Sequence, residues 1–171
     1  MNAAQIHLAI NHLPVVLSVT GLAITLWGLL AKKPEIKKVG LVLMIATAVF
    51  AVAAFLSGDP AEDFLEMLPN FSESIVEAHE ERGEVAFFVS LMAGAAALAS
   101  LLIKQKKLQR YALSATMLFG VAASVLFLSA AHLGGLIRHE EIRPGFVAPA
   151  EGDALEDNGV PNDVFGEENE H

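Results

Sequence analysis

Four long apolar segments divide this chain, and none of them contains an Asp, Glu, Lys or Arg residue. They cover residues 1–31, 39–57, 85–103 and 111–137, and the stretches between them are polar. Because a helix of about 20 apolar residues crosses the hydrocarbon core of a bilayer, each segment is long enough, or nearly so, to span a membrane. The pattern therefore predicts an all-α fold, a four-helix transmembrane bundle.

The basic residues predict the orientation of that bundle. Eight of the eleven Lys and Arg residues lie in the two loops that follow the first and third segments, together with a single acid. Since Lys and Arg in short loops mark the cytoplasmic side, the termini and the connection 58–84 are expected outside. This predicts a multi-pass membrane protein with both termini on the outer side. The eight basic residues are Lys32, Lys33, Lys37, Lys38, Lys104, Lys106, Lys107 and Arg110.

The outer connection and the C-terminal end carry different patterns. The connection opens with the turn sequence SGDP at residues 57–60 and continues as an amphipathic, acidic stretch, which predicts a short interfacial helix. Residues 77–84 then run without a break into the third span. The chain after residue 140 is acidic and rich in proline, with little periodicity. We therefore divide the protein into a transmembrane domain, 1–140, and an acidic periplasmic tail, 141–171.

The net charge of −9 and the absence of cysteine narrow the functional classes. The acids gather in the outer connection and the tail, and such a surface attracts basic proteins or cations rather than nucleic acid. Without cysteine the chain forms no disulfide, iron–sulfur cluster or covalent haem attachment. Any bound metal would be held by His, carboxylate or Met side chains.

All six histidines lie on the outer side of the predicted topology. His7 and His12 are five residues apart, so on a helix they point about 140° apart and differ by about 7.5 Å in depth. His132 and His139 are seven residues apart and share one face at two depths. Grouping by depth predicts an inner pair, His12 with His132. The shallow cluster has these members: His7, His79 and His139, with Glu80, Glu84 and Glu140 beside them.

Two histidines from different helices at one depth suit a b-type haem, because the iron takes one imidazole on each side of the porphyrin. By this reasoning His12 and His132 are the preferred axial ligands, and His7, His79 and His139 are further candidates. The shallow cluster also suits a divalent metal such as zinc, copper or iron. Its candidate metal ligands are His7, His79, Glu80, Glu84 and His139. Hydrogen bonding between helices without any cofactor is the structural alternative, with Asn11 as a partner of that kind.

Three segments carry a family resemblance: HLAINHLP, EAHEERGEVA and HLGGLIRHEEIRP. Over residues 5–143 the chain resembles the bacterial membrane family catalogued as domain of unknown function 2231. The matching positions are His7, His12, Pro14, His79, Gly134, Gly135 and His139. Much of that family has a Tyr and a later His after the Gly-Gly step, where this chain has Ile137, Arg138 and His139. The resemblance implies four spanning helices and genes that neighbour those of respiratory cytochromes, without an established activity.

The leading functional hypothesis is a membrane haem b protein that transfers electrons near the periplasmic face. It would act between quinol and a periplasmic cytochrome, or as a small subunit of a respiratory complex. A cofactor-free scaffold subunit and a divalent-metal-binding membrane protein are the alternatives. The sequence contains no Walker loop, GxGxxG or HExxH motif, so an electron-transfer or accessory subunit is favoured over a stand-alone enzyme.

Overall fold

The computed structural model describes residues 2–67, 72–143 and 145. Within these ranges the chain is helical and contains no strand, which confirms the predicted all-α class. The helices are α1 (Ala3–Leu30), α2 (Pro34–Leu56), α3 (Gly58–Leu65), α4 (Glu73–Leu102) and α5 (Lys106–Arg138), followed by a 3-10 helix, Glu140–Ile142.

Four of these helices, α1, α2, α4 and α5, are long and apolar enough to cross a membrane. The start of α1 is fixed by a capping box, in which the Asn2 side chain accepts from the Gln5 N–H and the Gln5 side chain accepts from the Asn2 N–H. Helices α4 and α5 begin well before their apolar segments, at Glu73 and Lys106, because Glu, Ala, Lys and Leu in those turns favour helix. The predicted continuation of residues 77–84 into the third span is confirmed.

Two sequence features that weaken helices do not interrupt these ones. Pro14 lies inside α1, and Gly134 and Gly135 lie inside α5, which continues to Arg138. In a bilayer no water competes for the backbone hydrogen bonds of a helix. A neighbouring helix can also donate a hydrogen bond to the backbone carbonyl that a proline leaves without a donor. The short α3 occupies the connection between α2 and α4, where a short helix is predicted from the sequence, and it packs against α1.

The four long helices form a bundle in the order α1, α2, α4, α5. Each packs against the next and α5 returns to α1, so α1 lies diagonally opposite α4. The α1–α2 and α4–α5 pairs pack most extensively, and the α1–α5 contact is the smallest of the four.

Each long helix buries a stripe of mostly small residues. The spacing alternates between three and four, as in helices that cross at a small angle. Small side chains let membrane helices approach closely where lipid supplies no hydrophobic drive. The stripe of α1 includes Pro14, Ser18, Gly21, Thr25 and Gly28, and that of α4 includes Val76, Ala86, Ser90, Ala93, Ala97 and Ser100. At the same spacing, the stripes pass through His7 and Asn11 on α1 and through His79 on α4.

Two glycines allow a close approach between α1 and α2. A Cβ atom added at Gly28 would lie 2.6 Å from the Cα of Lys37, and one added at Gly40 would lie 2.8 Å from the Cα of Thr25. Both obstacles are backbone atoms of the facing helix, which cannot rotate away as a side chain can. These two glycines therefore set the distance between the helices.

Helix α1 ends in a Schellman motif whose left-handed position is occupied by Lys32 instead of glycine. Lys32 has φ of 54°. The N–H of Lys33 donates to the Gly28 carbonyl at 2.9 Å, and the N–H of Lys32 donates to the Leu29 carbonyl at 3.2 Å. A residue with a side chain in this conformation costs about 1 kcal/mol relative to glycine, so the turn holds a strained lysine.

The chain divides into two compact units, Met1–Arg138 and His139–His171. In the described part of the second unit, His139 Nδ1 lies 2.8 Å from Glu141 Oε1. The backbone N–H of Glu141, and after it the His139 imidazole, lower the pKa of the Glu141 carboxyl below its ordinary value. Most of the predicted acidic tail, residues 144 and 146–171, lies outside the described residues.

Candidate histidine site

His7 is half-buried on α1 and is hydrogen-bonded to the junction of α2 and α3. Its Nδ1 lies 3.0 Å from the Oγ of Ser57, and the Ser57 hydroxyl donates to the Ala54 carbonyl at 2.9 Å. Because that hydrogen is already used, the Ser57 Oγ accepts from His7 Nδ1–H. In the neutral imidazole this leaves His7 Nε2 unprotonated, with a free lone pair.

His79 is half-buried on α4 and is held in the same way by α5. Its Nδ1 lies 2.8 Å from the carbonyl oxygen of Ala130. A carbonyl only accepts, so Nδ1 carries the hydrogen and the Nε2 of the neutral ring has a free lone pair. The ring lies against Gly134, where an added Cβ would be 3.1 Å from His79 Cε1. Nearby, Arg82 Nη1 donates to Ser129 Oγ at 3.0 Å and forms a second link between the helices.

The two histidines come from diagonally opposite helices and meet at one end of the bundle. The ring centroids of His7 and His79 are 6.4 Å apart, with an angle of 87° between the ring planes. Helical bundles hold cofactors between side chains of facing helices. A metal-binding histidine is usually oriented by a hydrogen bond from its other ring nitrogen. The pair can therefore offer two pre-oriented imidazole ligands to one shared centre, and we refer to it as the histidine pair.

An apolar layer lies deeper in the bundle than the histidine pair. Its buried members are Ala51, Ala86, Ala123 and Phe127. Ala86 follows His79 by seven residues, or about 10 Å along the helix. Beside it the rings of Phe55 and Phe87 stack at 4.5 Å. This layer contains no charged group, so it excludes water and strengthens electrostatic interactions at the pair.

Two buried polar atoms in the described residues lack hydrogen-bond partners. They are Oδ1 of Asn11 and Oγ of Ser124. Asn11 follows His7 by four residues and so lies on the same face of α1, one turn deeper. A buried acceptor without a donor is destabilising, and a bound group with an N–H or O–H would remove that cost. The Asn11 oxygen is therefore a polar contact available to a ligand of the histidine pair.

Replacing Asn11 with leucine should raise the free energy of unfolding of the cofactor-free protein by about 1 kcal/mol, because it removes the unpaired buried oxygen. The measurement is a thermal melt in detergent, with Ser124→Ala as the parallel variant for the second unpaired atom. A lower melting temperature for Asn11→Leu would mean that its oxygen already has a partner.

The inner pair predicted from the sequence has a different setting. The side chains of His12 and His132 are exposed, and His12 Nδ1 lies 2.7 Å from the Leu8 carbonyl of its own helix. No hydrogen bond or ring contact joins His12 to His132 in the described part of the chain. Glu80 and Glu84 are exposed on α4, and His139 belongs to the second unit.

A divalent-metal site would require more ligands than the histidine pair supplies. Over residues 2–67, 72–143 and 145, no group of three or more His, Asp or Glu side chains is placed to hold a metal ion. Two imidazoles suit a centre that brings its own equatorial ligands better than they suit a bare ion, since structural zinc sites use four protein ligands.

The spacing of the buried residues along each helix is the sequence signal that distinguishes the histidine pair from the predicted inner pair. His7 and Asn11 continue the spacing of Pro14, Ser18 and Gly21, whereas His12 lies about 100° away from the stripe. Depth alone groups His12 with His132, but the direction of each side chain around its helix decides which ring faces the interior.

No family model matches this chain, and neither a curated protein nor a solved structure matches it. The resemblance to the domain of unknown function 2231 therefore stays a prediction.

Proposed function

We propose that this protein is an integral protein of the bacterial inner membrane that binds haem b through His7 and His79 and transfers electrons. The observation that carries the proposal is the histidine pair itself. Two imidazoles from diagonally opposite helices lie with centroids 6.4 Å apart, and each uses Nδ1 for a hydrogen bond, which leaves Nε2 of the neutral ring unprotonated.

The separation of the rings supports a centre that both imidazoles share. With centroids 6.4 Å apart, His7 and His79 would hold a haem between them, each through its Nε2 atom.

The residues around the pair suit an apolar, ring-shaped group. When bound, haem supplies one-electron redox chemistry. Ser57 and the Ala130 carbonyl fix the tautomers of the ligands, and the buried layer below them is apolar. The apolar layer excludes water.

The charge distribution supports an orientation and a class of partner. We place the basic loops in the cytoplasm and the histidine end, with α3 at the interface, on the periplasmic side. The outer connection is acidic, and long-range attraction would guide a basic periplasmic cytochrome to this end. A small subunit of a respiratory complex would contact its partner subunits through the same acidic surface.

An optical spectrum of the full-length protein tests the proposal. After haem-replete expression and purification in detergent, the protein should show a Soret band and a sharp α band on reduction. His7→Ala and His79→Ala should each lose the haem, and His132→Ala should keep it. A colourless wild-type protein would refute the proposal. Haem loss in His132→Ala with retention in His79→Ala would favour the inner pair instead.

A cofactor-free scaffold is the second candidate, and a specific observation favours it. Both hydrogen bonds of the histidine pair join different structural elements, His7 to Ser57 and His79 to Ala130. Such bonds stabilise membrane bundles by themselves, typically by about 0.6 kcal/mol each. In that case the purified protein is colourless, and His7→Ala lowers its melting temperature only slightly.

A further inference from the structure

An open groove of about 460 Å³ lies between α1 and α5 at the basic end of the bundle. It is lined by Leu29 of α1 and by Arg110, Leu113, Ser114 and Met117 of α5. A smaller hollow of about 190 Å³ shares Leu29 with the groove and is lined by Lys32 and Lys37. The groove lies along the smallest of the helix contacts in the bundle.

The groove is charged at one end and apolar along its length. Arg110, Leu113 and Met117 follow one face of α5 at spacings of three and four, so Met117 lies about 10 Å deeper than Arg110. Leu29 lies opposite on α1. A molecule that filled the groove would meet a cation at its head and mainly apolar side chains, with the Ser114 hydroxyl, along its tail.

The cations at this end are not neutralised by the protein. The two loops hold eight Lys and Arg residues and one acid, Glu35. None of the eight forms an ion pair in the part of the chain that the structure describes. The first turn of α2 also lacks a side-chain cap, since Lys33 makes no capping hydrogen bond, and a helix N-terminus favours negative charge.

The backbone conformation of Lys32 is an independent observation that indicates a role in ligand binding for its side chain. The left-handed position of the Schellman motif favours glycine, yet it is occupied by a lysine with φ of 54°. Residues in such conformations concentrate at ligand-binding sites. The strain is consistent with a use for the ammonium group at the smaller hollow that Lys32 lines.

Two aromatic residues place this end at the membrane surface. The chain has one Trp and one Tyr, and both Trp27 and Tyr111 are 63% exposed next to the basic loops. Trp and Tyr concentrate at the level of lipid headgroups. The cations of the groove therefore lie at the depth of the phosphates.

We propose that this groove binds an anionic phospholipid of the surrounding bilayer. Arg110 on one side, with Lys32 and Lys37 on the other, contacts the phosphate, and an acyl chain lies along Leu29, Leu113 and Met117. Basic pockets between membrane helices at this depth bind acidic lipid headgroups in other membrane proteins. Charge complementarity and the apolar continuation of the groove favour a lipid over a free anion.

Lipid binding can be measured by native mass spectrometry on the full-length protein in detergent. Dioleoyl phosphatidylglycerol is the probe, and dioleoyl phosphatidylcholine and inorganic phosphate are the comparison ligands. Phosphatidylglycerol should be retained in preference to both. Arg110→Gln and Lys37→Gln should each weaken its binding about fivefold, the expected contribution of one cation near an anionic lipid.

Lys104→Gln is the matched control, because it removes a positive charge at the same end and does not line the groove. Its lipid affinity should remain unchanged. An equal loss for Lys104→Gln would indicate diffuse attraction and overturn the proposal, as would equal retention of phosphatidylcholine. Binding of inorganic phosphate as tight as that of the lipid would overturn it in favour of a free-anion site.

Lys32→Gly separates binding from folding. Glycine relieves the left-handed strain, so this variant should melt at a higher temperature than the wild type while it binds phosphatidylglycerol about fivefold less tightly. Unchanged lipid affinity in the more stable Lys32→Gly protein would exclude Lys32 from the site.

Discussion

Gly28→Ala should lower the free energy of unfolding by about 3 kcal/mol, the upper part of the usual range for an overpacked site. The added methyl group would lie 2.6 Å from the Cα of Lys37, and backbone cannot yield as a flexible side chain does. Relief requires α1 and α2 to separate along their whole contact, which also weakens the packing of neighbouring small residues. Thermal unfolding in detergent, followed by circular dichroism, measures the loss.

Gly83→Ala is the matched control for this change. It makes the same substitution inside α4, where an added Cβ meets no atom within 4 Å. Alanine favours helix over glycine by about 1 kcal/mol, so the control should be as stable as the wild type or more stable. If Gly28→Ala melts like the control, the close approach of α1 and α2 is not rigid.

Gly134→Ala should lower the affinity for haem about tenfold, whereas Gly135→Ala should leave it unchanged. At Gly134 the added Cβ would lie 3.1 Å from His79 Cε1 and 3.3 Å from Nδ1, so the imidazole must shift. A shift disturbs its hydrogen bond to the Ala130 carbonyl, and loss of such support costs about 10-fold to 100-fold in metal affinity. Haem titration into the cofactor-free protein gives the affinities.

Gly135, the adjacent residue, provides a matched control for the substitution at Gly134. An added Cβ at Gly135 meets no atom within 4 Å, and both substitutions bring the same gain in helix propensity. In the cofactor-free protein, Gly134→Ala should therefore melt below Gly135→Ala, by about 1 kcal/mol for the strained hydrogen bond. Identical melting and identical haem affinity for the two variants would show that the position of His79 does not depend on Gly134.

Most of the fold follows from the sequence because a bilayer imposes simple rules. Uncharged segments of sufficient length predict the four long helices, and the turn at 57–60 predicts a break before a short helix. The continuation of α4 into its polar entry stretch was predicted, but the start of α5 at Lys106 was not, because hydropathy does not detect polar helical turns that extend beyond the membrane. The continuity of α5 through Gly134 and Gly135 likewise depends on packing that no local pattern reveals.

The candidate site was less accessible from the sequence than the fold. Counting residues gives the depth of each histidine, which groups His7 with His79 as well as His12 with His132. The direction of a ring depends on which face of its helix is buried, and that is set by contacts with other helices. The partners that orient the rings, Ser57 and the Ala130 carbonyl, lie 50 and 51 residues from their histidines. No pattern within one helix contains that information.

Each member of the histidine pair shares a helical hairpin with the acceptor that orients it. His7 and Ser57 belong to the first hairpin, which α1 and α2 form, while His79 and Ala130 belong to the second, of α4 and α5. Each hairpin can thus insert into the membrane carrying a complete half of the centre. The two halves meet only when the two hairpins pack against each other in the bilayer. Ligand binding would therefore measure this final assembly step and would give no information about the insertion of each hairpin.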